Sequence, residues 1–340
     1  MTILPLDDSY RTFCDLLTGY RMFFVMREAL NSGIIDLLEQ EDRPLDELLR
    51  DTSLKDAEGR RFVALLVNAG LLEQCDGRLR LSHFSRTYLS RSSATSQRQV
   101  VEFESVLLEN WQRLGVHLQK GQGALTRELA PEEYRQRLQL FQQAMAEAAQ
   151  IRSRELWAAM PPLPERGTLI DIGAGNGTYL REFLVRHPEW QCVACDLPDI
   201  CRQAEGDTIP KNLTFYPCNI LDRDELAGLV EKYPATADVL LFSNLCHCYS
   251  PAENAVLLHQ AGALLAAEGM LVVHDFFRDS NSFGAMYDLH MLVNTYNGRS
   301  YTVAETATML EHAGFGRSTI IELPSRSLAM LATRSSPVQA

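Results

Sequence analysis

The sequence predicts an α/β fold: a doubly wound, mostly parallel sheet in the second half of the chain, preceded by a mainly helical domain. Three observations carry this. From Thr168 onward, short runs rich in Val, Ile and Leu alternate with amphipathic helical patterns, the alternation that builds parallel strand–helix–strand units. A tight glycine turn, Gly173-Ala174-Gly175-Asn176-Gly177, joins the first such run to the first such helix. Before that point helical periodicity dominates. The proline-rich segment 161–167 separates the two halves, because prolines stop a helix, giving domains 1–160 and 161–340.

The first strand, Thr168-Leu169-Ile170-Asp171-Ile172, is short, apolar and β-branched, as buried strands are. After the glycine turn, Tyr179, Leu180, Phe183, Leu184 and Val185 recur at helical spacing. The next strand, Gln191-Cys192-Val193-Ala194-Cys195, ends on Asp196. A strand, glycine turn, helix and acid-tipped strand form the first half of a nucleotide-binding unit, in which the acid accepts hydrogen bonds from ribose hydroxyls. The spacing G-x-G-x-G is not the dinucleotide pattern. Asp171, two residues ahead of the first glycine, would repel a pyrophosphate but suits a cationic ligand. D-I-G-A-G-N-G resembles motif I of the S-adenosylmethionine (SAM) dependent methyltransferases, and Asp196-Leu197-Pro198 their ribose-binding acid.

Composition bounds the rest. The chain has 340 residues, enough for two domains, and 46% hydrophobic residues, enough for sizeable cores. No apolar run approaches the ~18 residues of a membrane span. The N-terminal stretch MTILPLDDSYRTF carries acids where a leader would be basic, so a cytoplasmic protein is expected. A net charge of −12 disfavours nucleic acid or an anionic membrane as the main partner. Eight cysteines without a leader read as free thiols.

Taken in order, residues 9–40 read as two helices. The run Tyr20-Arg21-Met22-Phe23-Phe24-Val25-Met26 is too apolar for a solvated face and belongs in a core or against another subunit. Residues 34–89 have a winged-helix-like pattern: helices around Ile35 and Leu48, a third from Arg60 to Ala69 stopped by Gly70, and a hairpin with an Asp76-Gly77 turn. Residues 43–91 hold nine Lys/Arg against seven Asp/Glu. That mild excess lacks the basic stripe of a DNA reader. Further helices follow over 100–157, one running from Pro131 to Ala149 with Leu138, Phe141, Met145 and Ala149 on one face.

After Asp199 the alternation continues. Strands are read at 213–216, 237–243, 269–275 and 327–333, with an amphipathic helix over 251–265. In a parallel sheet, ligands sit at the carboxyl ends of the strands. The loops after Ile172, Asp196, Ser243 and Val273 therefore line one crevice, and His247 lies in one of them.

Nearly the whole chain resembles the plant-type and hydroxyindole-type small-molecule O-methyltransferase family. Beyond motif I, the matching pieces are Phe141-x-x-Ala144-Met145, the strand leading to His247, Glu268-Gly269-Met270-Leu271-Val272-Val273, and the segment from Met291 to Arg299. The resemblance implies a Rossmann-like, seven-stranded, mostly parallel SAM domain behind a helical dimerisation domain, and a homodimer built on residues 10–38. It implies that His247 deprotonates the acceptor hydroxyl with Asp275 orienting it. SAM would be held by Asp171, Gly173, Gly175, Gly177, Asp196, Leu197, Asn219, Ile220 and Ser243. Phe141, Met145, Met291 and Asn294 would line the acceptor site, although a Met and aromatic stripe at helical spacing also reads as core. The chain departs from the family at His247-Cys248-Tyr249, where His-Asp-Trp is common. It departs again at Ser300, where a second carboxylate is usual, and at Cys218-Asn219, where Gly-Asp is usual.

Cys246-His247-Cys248 and Cys192-x-x-Cys195 invite a metal reading. Residues three apart on a strand point to opposite faces, so Cys192 and Cys195 do not share an ion, and no metal is expected. The residues leave the small-molecule acceptor unidentified. Transfer to nitrogen or carbon, a SAM-binding decarboxylase or rearrangement enzyme, and a winged-helix regulator stay open as alternatives.

Overall fold

The computed structural model describes residues 9–121, 123, 129–204, 208–295 and 297–335; residues 1–8 of the acidic N-terminal stretch, and Tyr296, lie outside the described residues. The chain divides into two compact units, Met1–Val106 with Arg137–Ala148, and Leu107–Gln136 with Ala149–Ala340. Residues 161–167 lie between a helix that ends at Ala159 and a strand that begins at Thr168. The compact units, however, divide further upstream, within two helices.

In the first unit, α1 (Tyr10–Asn31) starts at Ser9, whose hydroxyl accepts the Thr12 N–H, a side-chain cap on an otherwise unpaired donor. Gly33, at φ +78°, separates it from α2 (Ile34–Gln40). After β1 (Arg43–Pro44) come α3 (Leu45–Arg50) and α4 (Asp56–Asn68), then β2 (Leu72–Cys75) and β3 (Arg78–Leu81). The three strands form an antiparallel sheet in the order β1-β3-β2. Asp76 and Gly77 both have positive φ, the backbone of a two-residue hairpin turn. Ile34, Ile35, Leu38, Leu48, Leu66, Leu72, Leu79 and Leu81 form the core.

Helix α5 (His83–Tyr88) leads to α6 (Arg98–Gln112). The Glu147 carboxylate accepts N–H groups of Gln99 and Val100 at the start of α6, an anion at the positive helix end. Helix α7 (Leu114–Lys120) comes next, then α8 (Pro131–Ala159). That last helix runs ten residues beyond the expected end at Ala149. The C-terminal turns of α8 are held by the second unit: Trp157 packs on Phe183 at 4.8 Å and donates its indole N–H to the Tyr179 carbonyl.

The second unit is a seven-stranded sheet of β4 (Thr168–Ile172), β5 (Gln191–Asp196), β6 (Leu213–Pro217), β7 (Ala237–Ser243), β8 (Leu265–Asp275), β9 (Thr319–Glu322) and β10 (Leu328–Thr333), in the order β6-β5-β4-β7-β8-β10-β9. The five strands from β6 to β8 are parallel to one another, and β10 and β9 run antiparallel. Helices α9 (Thr178–Arg186), α10 (Pro198–Ala204), α11 (Arg223–Lys232), α12 (Pro251–Ala261), α13 (Ser282–Asn294) and α14 (Val303–His312) complete it. Alternate strand residues enter two cores. Ile170, Ile172, Leu240, Phe242 and Leu271 face one, and Leu169, Val239, Leu241, Val272 and Ala329 the other. Both faces are covered, which is why the strands read as near-continuous apolar runs. Cys195 lies in the first core and Cys192 in the second. Among the described residues, no helix is long and apolar enough to cross a membrane.

Candidate active site

At the carboxyl end of β4, Gly173, Gly175 and Gly177 all have positive φ, a conformation that costs an L side chain about 1–2 kcal/mol. At Gly173 space forbids a side chain as well, since a Cβ would lie 2.6 Å from Leu245 Cδ1; at Gly175 it would meet open space. The Gly173 and Ala174 N–H groups donate to the Cys195 carbonyl, tying the turn to the end of β5. The Gly175 N–H donates to Asp196 Oδ2 at 2.7 Å, and Leu197 N–H to Asp196 Oδ1 at 2.7 Å.

Two carboxylates thus meet at this turn. Asp171 is 1% exposed, and its Oδ1 has no hydrogen-bond partner among the described residues. Burial pushes its carboxyl well above the usual range, and the nearby Asp196 charge adds to the effect. Burial also raises Asp196, against the two N–H donors that favour its anion. A desolvated acid with an unsatisfied oxygen is set up to receive a cation. Beside it, Leu197 is exposed and Ile220 buried. Asn219 closes its own turn, Oδ1 accepting the Leu221 N–H. Ser243 turns its hydroxyl to His274 Nδ1, 3.1 Å away, and to the Asn244 amide.

His247 and Asp275 are brought together by neighbouring strands. Strands β7 and β8 are parallel, with Ser243 opposite His274, so the turn after β7 and the end of β8 share one sheet edge. His247 sits in the short 3₁₀ turn Cys246–Cys248. Its Nδ1 lies 2.6 Å from Asp275 Oδ1, and its backbone N–H donates to Asp275 Oδ2 at 3.3 Å. Phe276 N–H holds Oδ1 at 2.8 Å. The Asp275 carboxylate thus fixes Nδ1 as the ring donor and turns Nε2 toward the Tyr287 hydroxyl. Burial alone would depress the imidazole. The Asp275 charge and the Nδ1 hydrogen bond oppose it, and His247 is raised well above the ordinary value.

Residues without any motif complete the site. The Tyr287 hydroxyl lies 3.5 Å from His247 Nε2. Its ring stacks on His290 at 5.4 Å and packs on Phe276 at 4.7 Å, and Phe283 lies 5.0 Å from Phe276. Trp111 is 6.2 Å from His290. Burial, helped by His247, lowers His290 to about 4, and burial holds His274 at about 3; both are neutral rings. Helical spacing is the only sequence signal that links Phe283, Tyr287 and His290 to Met291.

Among the expected acceptor residues, Met291 is buried and packs near Gly298. Asn294 directs its oxygen to the Asn110 amide at 2.9 Å and its own amide to the His290 carbonyl at 3.0 Å. Its polar atoms therefore lock α13 in place. Phe141 and Met145 belong to the first unit, where the half-exposed Phe141 ring packs on Phe103 at 5.5 Å. Ser300 is fully buried and its hydroxyl has no partner among the described residues. Its N–H donates to Asp288, so a carboxylate does stand beside this position, supplied by α13. Among the described residues no cluster of His, Cys, Asp or Glu is arranged to hold a metal ion.

Known proteins resemble this chain along most of its length. The O-methyltransferase domain model matches residues 120–316. A 3-amino-4-hydroxybenzoate 4-O-methyltransferase from Streptomyces cremeus is 24% identical over 340 residues, covering 96% of this chain and 91% of that protein. An acetylserotonin O-methyltransferase from Macaca mulatta is 25% identical, covering 91% and 93%. The solved structure of human N-acetylserotonin methyltransferase in complex with SAM superposes with a TM-score of 0.84 at 20% identity, covering 97% of this chain and 99% of that one. With the domain model spanning more than half its length, the chain belongs to the O-methyltransferase family, whose members move a methyl group from SAM to a small-molecule hydroxyl.

Proposed function

We propose that this chain methylates a hydroxyl on a planar aromatic small molecule, with His247 as the general base and Asp275 as the group that orients it. The observation that carries the reading is the 2.6 Å contact between His247 Nδ1 and Asp275 Oδ1, which leaves Nε2 as the proton acceptor. The aromatic surface made by Tyr287, His290, Phe276 and Phe283 suits a flat acceptor. The relatives' names, which include a hydroxybenzoate and a naphthoate methyltransferase, support the same class.

The residues at the glycine turn fit SAM. The unpartnered Asp171 oxygen suits the positive amino-acid end, Asp196 suits the ribose hydroxyls, and the open space at Gly175 admits the ligand close to the backbone. Leu197 and Ile220 supply apolar surface beside it, and Asn219 retains its amide N–H₂ as a donor. When bound, SAM supplies an electrophilic methyl group on a cationic sulfur. The chain supplies the rest. Nε2 takes the acceptor proton, Asp275 stabilises the imidazolium that results, and the apolar walls exclude water, which strengthens these charges.

We also infer a homodimer through α1. Tyr10, Phe13, Leu17 and Tyr20 are more than half exposed and recur at three- and four-residue spacing along one side of the helix, a stripe that a second copy would cover.

Replacing His247 by Ala tests the reading. The rate should fall by about 10² to 10⁴ with SAM affinity unchanged. Transfer within threefold of wild type at neutral pH would refute it.

A further inference from the structure

Arg152 lies in the C-terminal part of α8, within the second unit. Several arginines of this unit meet carboxylates: Arg154 and Arg186 pair with Glu182, and Arg278 and Arg299 with Glu305; Arg181 donates instead to the Asn176 and Thr208 carbonyls. Arg154 is two residues away, so it points to the far side of the same helix. For Arg152 no carboxylate among the described residues lies within ion-pair distance. Its guanidinium instead sits over the Phe276 ring, 4.7 Å from the centroid.

That ring is the one that packs on Tyr287, the residue at His247 Nε2. The Arg152 charge also reaches across the site. It opposes the burial that raises the Tyr179 and Tyr287 phenols and reinforces the burial that keeps His274 neutral. Tyr179 also lies within reach of the Asp171 carboxyl, whose Oδ1 is unpartnered among the described residues. The interior thus holds an acid lacking a cation and a guanidinium lacking an anion, with Tyr179 subject to both.

A partly desolvated guanidinium on an apolar ring, among neutral histidines, is stabilised by a planar anion that takes two N–H donors at once. We propose that Arg152 is a carboxylate-binding residue of the active site, receiving a carboxylate either from the acceptor or from the amino-acid end of SAM. This rests on the methyltransferase reading above. The lone Phe276 contact leaves the guanidinium fork available, and Lys would reproduce the charge without the bidentate geometry.

The test uses the full-length protein and four probes. S-adenosylhomocysteine is compared with 5′-methylthioadenosine, which lacks the amino-acid end, and 4-hydroxybenzoate with 4-hydroxybenzamide, its uncharged analogue. Calorimetry is run on wild type, Arg152→Met and Arg152→Lys. A loss of about tenfold or more in S-adenosylhomocysteine affinity, with methylthioadenosine unchanged and partial recovery in the Lys variant, supports the proposal with the cofactor as source. Unchanged S-adenosylhomocysteine binding, with 4-hydroxybenzoate losing its advantage over the amide, supports it with the acceptor as source. Equal weakening of all four probes means a structural role and overturns it. So does unchanged S-adenosylhomocysteine affinity in an enzyme with no preference for the benzoate. Failure of the wild-type chain to bind S-adenosylhomocysteine at all would instead overturn the methyltransferase assignment, and this proposal with it.

Discussion

Replacing Asp275 by Asn removes one charge while keeping the shape, and the hydrogen bonds around it determine the effect. Oδ1 accepts from both His247 Nδ1 and Phe276 N–H, while Oδ2 accepts the His247 backbone N–H. If the Asn carbonyl takes the Oδ1 place, its NH₂ faces the His247 N–H, a donor against a donor. If it takes the Oδ2 place, the NH₂ faces Phe276 N–H and drives the ring proton to Nε2, which abolishes the base. The first arrangement is the milder and should dominate. It still loses the charge that stabilises the imidazolium, about 1.5–3 kcal/mol for a hydrogen bond to an ionised group. At 1.36 kcal/mol per decade that is a loss of about 10- to 150-fold in kcat/KM. The acid limb of the pH profile should move down as well, because Asp275 is the leading cause raising His247 and burial, which lowers it, remains. The linkage has a definite sign. A histidine with a raised folded value stabilises the fold fully below its unfolded value, about 6.5, and loses that contribution as pH rises through the folded value. The variant should therefore lose stability at acidic pH and little above the raised value. NMR titration of the His247 ring, with pH-dependent kcat/KM, reads both effects. An unmoved titration with a rate within threefold of wild type would show that Asp275 neither orients nor charges the ring.

Other expectations concern the cofactor turn and assembly. Asp196→Ala should weaken SAM by about 1.5–3 kcal/mol, and calorimetry giving unchanged affinity would remove Asp196 from the site. Asp171→Asn should raise the melting temperature of the ligand-free protein, since it removes a desolvated acid, while weakening SAM. The same raised carboxyl makes stability without ligand rise as pH falls toward the ordinary value near 4, and thermal melts that climb with pH across this window would contradict that. Leu17→Glu with Tyr20→Glu should convert a dimer of the 38.3 kDa chain to monomers, and sedimentation showing no change would clear α1 of the interface.

Much of the site is legible in the sequence because it lies where strands end. Asp171, the three glycines and Asp196 occupy one turn and two strand tips, and parallel pairing of β4 with β5 brings them together without tertiary detail. The same rule pairs His247 with Asp275, since β7 and β8 end side by side. Residues contributed by helix faces are not legible. Tyr287 and Arg152 converge on Phe276, which follows β8, and which helix residues meet there is set by tertiary packing that no local pattern encodes. Strand β9 escapes a reading of the sequence because most of its residues are exposed, so it shows no apolar alternation. The division of α6 and α8 between two units is equally hidden, because a continuous helix carries no mark of which core each turn joins.

The raised His247 value also bears on which acceptors react best. Pairing with Asp275 favours the imidazolium relative to an unpaired ring. Reaction can start from neutral ring and neutral hydroxyl, or from imidazolium and ionised hydroxyl. The two states hold the same number of protons and titrate as one coupled pair. Lowering the acceptor's pKa toward that of the imidazolium increases the fraction poised for transfer, while lowering it further only weakens the nucleophile. Across a series of ring-substituted phenols, kcat/KM should therefore rise as acidity increases, reach a maximum near the His247 value and then decline. In His247→Ala the maximum should shift toward acceptors already ionised at the assay pH. A rate that climbs steadily with acceptor basicity in the wild-type enzyme would mean that no proton is shared with His247, and that the nucleophile attacks without a base.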